Sequence, residues 1–353
     1  MTNQDSKCKN IEILVSQGSD LAGSKLAGAN LFKANLKGAK LSKSDLKEIN
    51  LEKANLKYAD LSGCDLRGAD LREANFKCAN LSFANLTNAV LDNAYMDQAD
   101  LRGAMFVDAA LSAVSFIGAK LQQANFEGAD LRNANFFHTD LTNVTLTGAD
   151  LLGATLCGAN LAHCGLDGVY FYDTRLDKTD FKNLDLRKVS FERASVKNAD
   201  FSCANLRGVN LYKANLEGSL FINANLDIAT LMSAQMMGAN LTGATLRQAD
   251  LRGADLSKAN LNVADMFGAN LASVVLAGAN LRSANLEEAD LTNVDLKGAN
   301  LRCANLQKAI CIETDFSGAD LTGANLLGAN ATLANCRGAI LDSVILPDGT
   351  VYK

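Results

Sequence analysis

From Leu21 to Leu346 an apolar residue returns at every fifth position, through 66 units without one insertion or deletion. The returning residue is Leu in 48 units, Phe in 11 and Met in three; the others are Cys311, Cys336, Val196 and Ala331, and none is charged. A period of five is incompatible with either regular element as a continuous state. In an α-helix each step of five turns the side chain by about 140°, so the leucines would wind around the axis and form no apolar face. In a flat strand five is odd, and successive leucines would alternate between the two faces. The chain must therefore turn within every unit.

Glycine marks where it turns. Of 27 glycines, 24 stand two places after the central residue. In helix interiors each would cost about 1 kcal/mol relative to Ala. At a corner needing positive φ, as expected at Gly23, Gly28 and Gly38, glycine is the natural residue, and eight more of these sites hold Asn, the next most tolerant. The residue two before the centre is mostly small (Ala29, Ala34, Ala39), and the one just before it is mostly Asn or Asp. The pattern reads in, out, in, out, out. Each buried leucine is worth roughly 1.5 to 3 kcal/mol, and stacking the units builds a narrow continuous core.

The runs "ADLRG", "ANLKG" and "ADLTG" fit A-[D/N]-L-x-x, and over residues 19–348 the sequence resembles the pentapeptide-repeat family. The resemblance implies an all-β fold, a right-handed quadrilateral parallel β-helix (β-solenoid) with four units per coil, hence about 16 coils. At about 4.8 Å per layer such a rod is about 80 Å long. Residues twenty apart should then stack. Phe106 and Phe126 should share one wall with Phe116 and Phe136 opposite, and Phe171 and Phe191 a third wall facing Phe181, Phe201 and Phe221. Asn240, Asn260, Asn280 and Asn300 should form an exposed amide ladder. Residues 1–18 are expected to cap one end, and the tail "ILPDGTVYK", with Pro347 as a stop signal and 349–353 outside the repeat, the other.

Little in the sequence suggests chemistry. His138 and His163 fall at outward corners of different walls, where neither has a partner for general base work. Cys64 and Cys164 share a wall but lie five coils apart, too far for one zinc ion, and read as core filling. Asp60, Asp65 and Asp70 point from three walls and do not converge as calcium requires. No phosphate-binding G-x-x-x-x-G-K-[ST] occurs. No catalytic, cofactor or metal residue is assigned. The nine cysteines contain no C-x-x-C and are odd in number, and the N-terminus has no apolar run of signal-peptide length. A cytoplasmic protein with free thiols and no transmembrane segment is expected.

Function then falls to the surface, and the expectation is a non-enzymatic interaction scaffold for an unknown protein partner. One outward file reads Leu152, Tyr172, Glu192, Tyr212, Met232, and a neighbouring wall offers Ile117, Phe137 and Cys157. An exposed apolar patch formed by Leu152, Tyr172, Tyr212, Met232, Ile117 and Phe137 is the candidate contact. The alternative is DNA mimicry directed at DNA gyrase, a type II topoisomerase, as the resemblance to the quinolone-resistance members implies. Duplex mimicry needs sustained negative charge. Net charge by wall is −1, −4, −4 and +3, which with Lys353 gives −5 for the chain, and no loop interrupts the repeat as loops do in those members. Residues 22–57 carry eight lysines against Asp45, Glu48 and Glu52. Without interleaved aromatics, that end is not expected to bind nucleic acid directly. Gyrase-directed relatives dimerise through C-terminal coils, where this chain has Leu327, Leu333 and Ile340.

Overall fold

A computed structural model describes residues 3–352, with side chains from Lys9 onward. These residues fall into two compact units, Met1–Arg175 and Leu176–Lys353. The first opens with α1 (Asn3–Ser16) and continues as a ladder of parallel β-bridges. Each bridge joins a pre-central residue to its equivalent twenty residues on: Asp20 to Lys40, Lys25 to Asp45, Asn30 to Asn50, Asn35 to Asn55, and so on to Thr155 with Arg175, with no bridge between Lys120 and Asp140 among the described residues. The second unit repeats the register from Asp180 with Asp200 to Asn325 with Ile345. Twenty residues thus make one turn of a parallel β-helix.

The unit centred on Leu241 shows how the backbone donors of a pentad are met. Asn240 N–H donates to Ser219 O in the preceding coil (2.9 Å), and Leu241 N–H to Asn260 O in the next (2.7 Å). Thr242 N–H is taken by the Asn240 side chain (Oδ1, 3.1 Å). Gly243 N–H reaches Asn262 O (3.0 Å), and Ala244 N–H closes a β-turn onto Leu241 O (3.0 Å). All five donors are satisfied, as burial between coils demands. The Asn or Asp before each centre is thereby explained, since its Oδ1 holds the one N–H that no coil can reach.

Sixty-four corner residues between Gly23 and Ser343 have positive φ, the mark of the third position of a type II turn. Here the structure goes beyond the expectation of glycine and asparagine. Forty non-glycine residues adopt it, including β-branched Ile228 and Val263, each at φ 52°. The left-handed region costs an L-residue roughly 1–2 kcal/mol. The turn bond and the inter-coil bond together hold the corner in place against that cost.

Inside, three of the four expected ring columns are present. In the first unit Phe106 stacks on Phe126 (4.7 Å between centroids) and Phe116 on Phe136 (4.8 Å), with edge contacts across the core. In the second, Phe181, Phe201 and Phe221 stack in sequence and Phe191 meets the first two edge-on. Where the small inward residue is polar it donates to a central carbonyl one coil back, as Thr174 does to Leu151 (2.8 Å), Ser219 to Val196 (2.6 Å) and Thr314 to Leu291 (2.7 Å).

The two termini depart from the repeat. The sequence reading offers no helix for residues 1–18, yet α1 occupies most of them and stops at Gly18, whose φ of 73° and N–H bond to Val15 O form a left-handed C-terminal cap. Ile11 is buried, and Glu12 Oε1 accepts the Asn35 N–H (2.6 Å), a first-coil donor with no coil before it. At the C-terminus Val351 pairs antiparallel with Ile345, while Leu346 N–H donates to Thr350 O (2.8 Å) and Tyr352 N–H to Val344 O (2.8 Å).

Candidate interaction surface

Residues just after a centre point away from the core on successive coils, so a file of them forms a surface stripe. In the first unit Ile117 and Phe137 are such neighbours, on coils joined by the Ser115–Asn135 bridge, and are 41% and 44% exposed. The Phe137 ring meets His138 edge-on at 4.3 Å. Cys157, one coil further, is buried and not the exposed thiol the sequence reading places there. The neighbouring corner is covered: His138 Nδ1 would lie 2.5 Å from a Cβ at Gly158, so the ring sits where glycine leaves room.

The second file is less apolar than its sequence. Leu152 is exposed, but Tyr172, Tyr212 and Met232 are half-buried, and the six candidate residues divide between units: Ile117, Phe137, Leu152 and Tyr172 in the first, Tyr212 and Met232 in the second. Lys213 Nζ lies over the Tyr212 ring at 5.0 Å, Met232 Sδ accepts from Arg252 Nη2 (3.5 Å), and Glu192 Oε2 from Asn210 Nδ2 (3.1 Å). The sequence reading missed Tyr58, Phe83 and Tyr170, all at least 60% exposed. Phe83 was legible. Like His138, it is a bulky corner residue followed twenty positions later by glycine, and its ring lies 2.7 Å from where a Cβ at Gly103 would be.

The carboxylates are largely engaged within their own units. Asp65, Asp70, Asp100, Asp130, Asp185 and Asp250 each pair with the arginine two residues on, Asp65 with Arg67 at 2.8 and 2.7 Å. The guanidinium of Arg67 holds Asp65 down to about 2, and the other five are lowered by the same kind of partner. Asp60 instead accepts from Ser62 N (3.0 Å) and Asn80 Nδ2 (3.1 Å), so the three aspartates do not share a site. His138 and His163 are both exposed corner residues. Burial pushes the Cys64 thiol up to about 11 and Cys164 to about 12, and each sulfhydryl donates to a central carbonyl (Leu41 O and Leu141 O, both 2.9 Å).

The asparagine ladder is half-buried, not exposed, and differs in one rung. Asn280 Nδ2 donates to Asn260 Oδ1 (2.9 Å) and Asn300 Nδ2 to Asn280 Oδ1 (3.2 Å). Asn260 reaches Asn240 only through the Thr242 hydroxyl, which takes the Asn240 oxygen at 2.6 Å.

The sequence matches the pentapeptide repeat region over 79–156 and 154–231, and pentapeptide repeats (8 copies) over 17–47, 49–82, 234–272, 275–310 and 309–346. The chain belongs to the pentapeptide-repeat family. Its fold is the right-handed β-helix of that family. Among solved pentapeptide-repeat structures, Rfr23 from the cyanobacterium Cyanothece 51142 is 36% identical over 28% of this chain, with a TM-score of 0.25. The match spans 64% of the Rfr23 chain. HetL, involved in heterocyst differentiation regulation in Nostoc sp. strain PCC 7120, is 26% identical over 82% of this chain and 91% of its own, with a TM-score of 0.17. QnrB1, a plasmid-mediated fluoroquinolone resistance protein, is 18% identical over 57% and 88%, with a TM-score of 0.35. None of these likenesses bears on activity. No curated protein matches the sequence.

Proposed function

We propose that this pentapeptide-repeat protein is a non-enzymatic scaffold that binds a protein partner through side chains displayed on a four-sided β-helix of about 16 coils. The observation that carries the reading is the exposed Ile117–Phe137 pair, two large apolar side chains stacked on consecutive coils of one file. Because the backbone donors of a pentad are met by its turn, by its Asn or Asp and by the adjoining coils, the side chain just after the centre is not needed for them and its identity is free to serve recognition. On the same reading α1 and the C-terminal hairpin cap the two open edges, and the free thiols suit a cytoplasmic setting.

The test is affinity capture with the wild type, with Ile117→Ser/Phe137→Ser and with Tyr172→Ser/Tyr212→Ser. The expected result is loss of a specific retained protein in the first variant, and identical retained sets in all three would remove the patch. Modulation of DNA gyrase is the competing reading, and the net charge of −5 is what favours it. Six Asp–Arg pairs weigh against it, since each cancels a carboxylate that a duplex mimic would have to present. A supercoiling assay decides: no effect of micromolar protein is expected, and inhibition would restore the mimic.

We further propose a homodimer through the C-terminal coils, supported by Leu327, Leu333 and Ile340 at 45%, 75% and 48% exposure. Light scattering after gel filtration should give twice the 37.4 kDa chain mass for the wild type, and a single chain for Leu333→Glu.

A further inference from the structure

The file that carries Ile117 and Phe137 begins differently. Read coil by coil in the first unit it runs Lys37, Lys57, Lys77, Asp97, Ile117, Phe137. The three lysines stack in register, as the Asn35–Asn55 and Asn55–Asn75 bridges and the bonds from Gly38 N to Lys57 O (2.8 Å) and Tyr58 N to Lys77 O (3.1 Å) require. Nearby Lys47 and Lys53 are matched by Asp65, Glu52 and Glu73, but among the described residues Lys37, Lys57 and Lys77 form no ion pair. Lys37 lies 5.8 Å from the exposed Tyr58 ring. Three lysines whose backbones lie one coil apart, about 4.8 Å, thus stand without an ion-pair partner on a protein of net charge −5.

A second feature places a carboxylate at the head of this file. A cleft of about 410 Å³ lies between α1 and the first coil, lined by Lys9, Glu12, Ile13, Val15, Asn35 and Lys37 among others. Within it the chain's own Glu12 carboxylate is seated on the Asn35 N–H. A glutamate at the start of a lysine file, with apolar side chains at its far end, describes both halves of an occupant.

We infer that this file binds an extended segment of a partner protein, its acidic residues on Lys37, Lys57 and Lys77 and its adjoining apolar residues on Ile117 and Phe137. From Lys37 to Phe137 is five coils, about 24 Å, the length of about seven residues of extended chain. The inference rests on the scaffold reading of Ile117 and Phe137 and adds the partner's chemistry. A nucleic acid fits less well, because the file turns acidic at Asp97 and apolar beyond it, offering a continuous phosphate chain nothing after the third lysine.

The test is fluorescence anisotropy of the full chain with labelled peptides EEEESLF and FLSEEEE, which present both chain directions. At least one should bind. Lys37→Gln/Lys57→Gln/Lys77→Gln should weaken it about tenfold, as three partly exposed ion pairs would. Arg207→Gln/Arg282→Gln/Arg337→Gln, which changes net charge equally on the second unit, should leave affinity within about twofold. Unchanged affinity in the lysine variant, equal loss in the arginine variant, or tighter binding of a seven-nucleotide single strand than of either peptide overturns the inference. Loss on Ile117→Ser/Phe137→Ser with no loss in the lysine variant also overturns it, while leaving the apolar contact of the scaffold in place.

Discussion

Val263 occupies a corner at φ 52°, where a β-branched side chain meets its own backbone. Val263→Gly is therefore expected to stabilise the protein by about 0.5–1 kcal/mol, the relief of left-handed strain exceeding the extra chain entropy of glycine; urea midpoints measure it, and a loss would show the corner to be unstrained. Phe126 makes the opposite case. Stacked on Phe106 and edge-on to Phe116 and Phe136, its replacement by Ala should cost about 3–5 kcal/mol. The cysteines separate by burial. Cys64 and Cys311, pushed up to about 11 and about 12, should react with a disulfide reagent at pH 8 about a hundredfold more slowly than the exposed Cys203 and Cys303. Their folded values exceed the unfolded one, so this protection adds a loss of stability only above about pH 8.5.

At the scale of the pentad, the residue before the centre does two jobs. Asn280 Oδ1 accepts from Arg282 N (3.3 Å) and Asn300 Nδ2 (3.2 Å), and its own amide donates to Asn260 (2.9 Å). Asn280→Ala should cost about 1–2 kcal/mol by denaturant unfolding, more than a variant at an exposed corner such as Ser283. The Asp–Arg units set a pH response. Their carboxylates titrate lower in the folded chain, so the unfolded chain binds more protons as pH falls below about 4. Stability contributed by Asp65 is present above that value and is lost toward its folded value of about 2. A melting temperature that holds at pH 5 and declines toward pH 2 is expected. This element was legible because period, glycine placement and the in-out pattern all report the same corner. The use of the corner by 32 residues other than glycine and asparagine was not, because what permits it is a pair of backbone hydrogen bonds that no side chain announces. The helix α1 escaped because it lies outside the repeat, though Gly18 stood ready as its stop. Of the candidate surface, which side chains point outward was readable from phase. How far Tyr172, Tyr212 and Met232 sink was not, since it depends on the neighbour one coil away, twenty residues off in sequence.

For the molecule, units in which each coil meets only its neighbours predict local response to damage. Phe126→Ala should speed hydrogen exchange in the coils around Phe106 and Phe136 while leaving those from Leu281 to Leu321 unchanged. The central claim is that residues twenty apart lie directly over one another, and Cys303 offers a native reporter of it. A Cβ placed at Gly323 would stand 3.6 Å from the Cys303 sulfur. Under mild oxidation, peptide mapping by mass spectrometry should find a disulfide between Cys303 and the new thiol in Gly323→Cys, and none to position 318 in Gly318→Cys. Equal bridging to both positions, or bridging to 318 alone, would contradict the twenty-residue stack and every functional reading that depends on it.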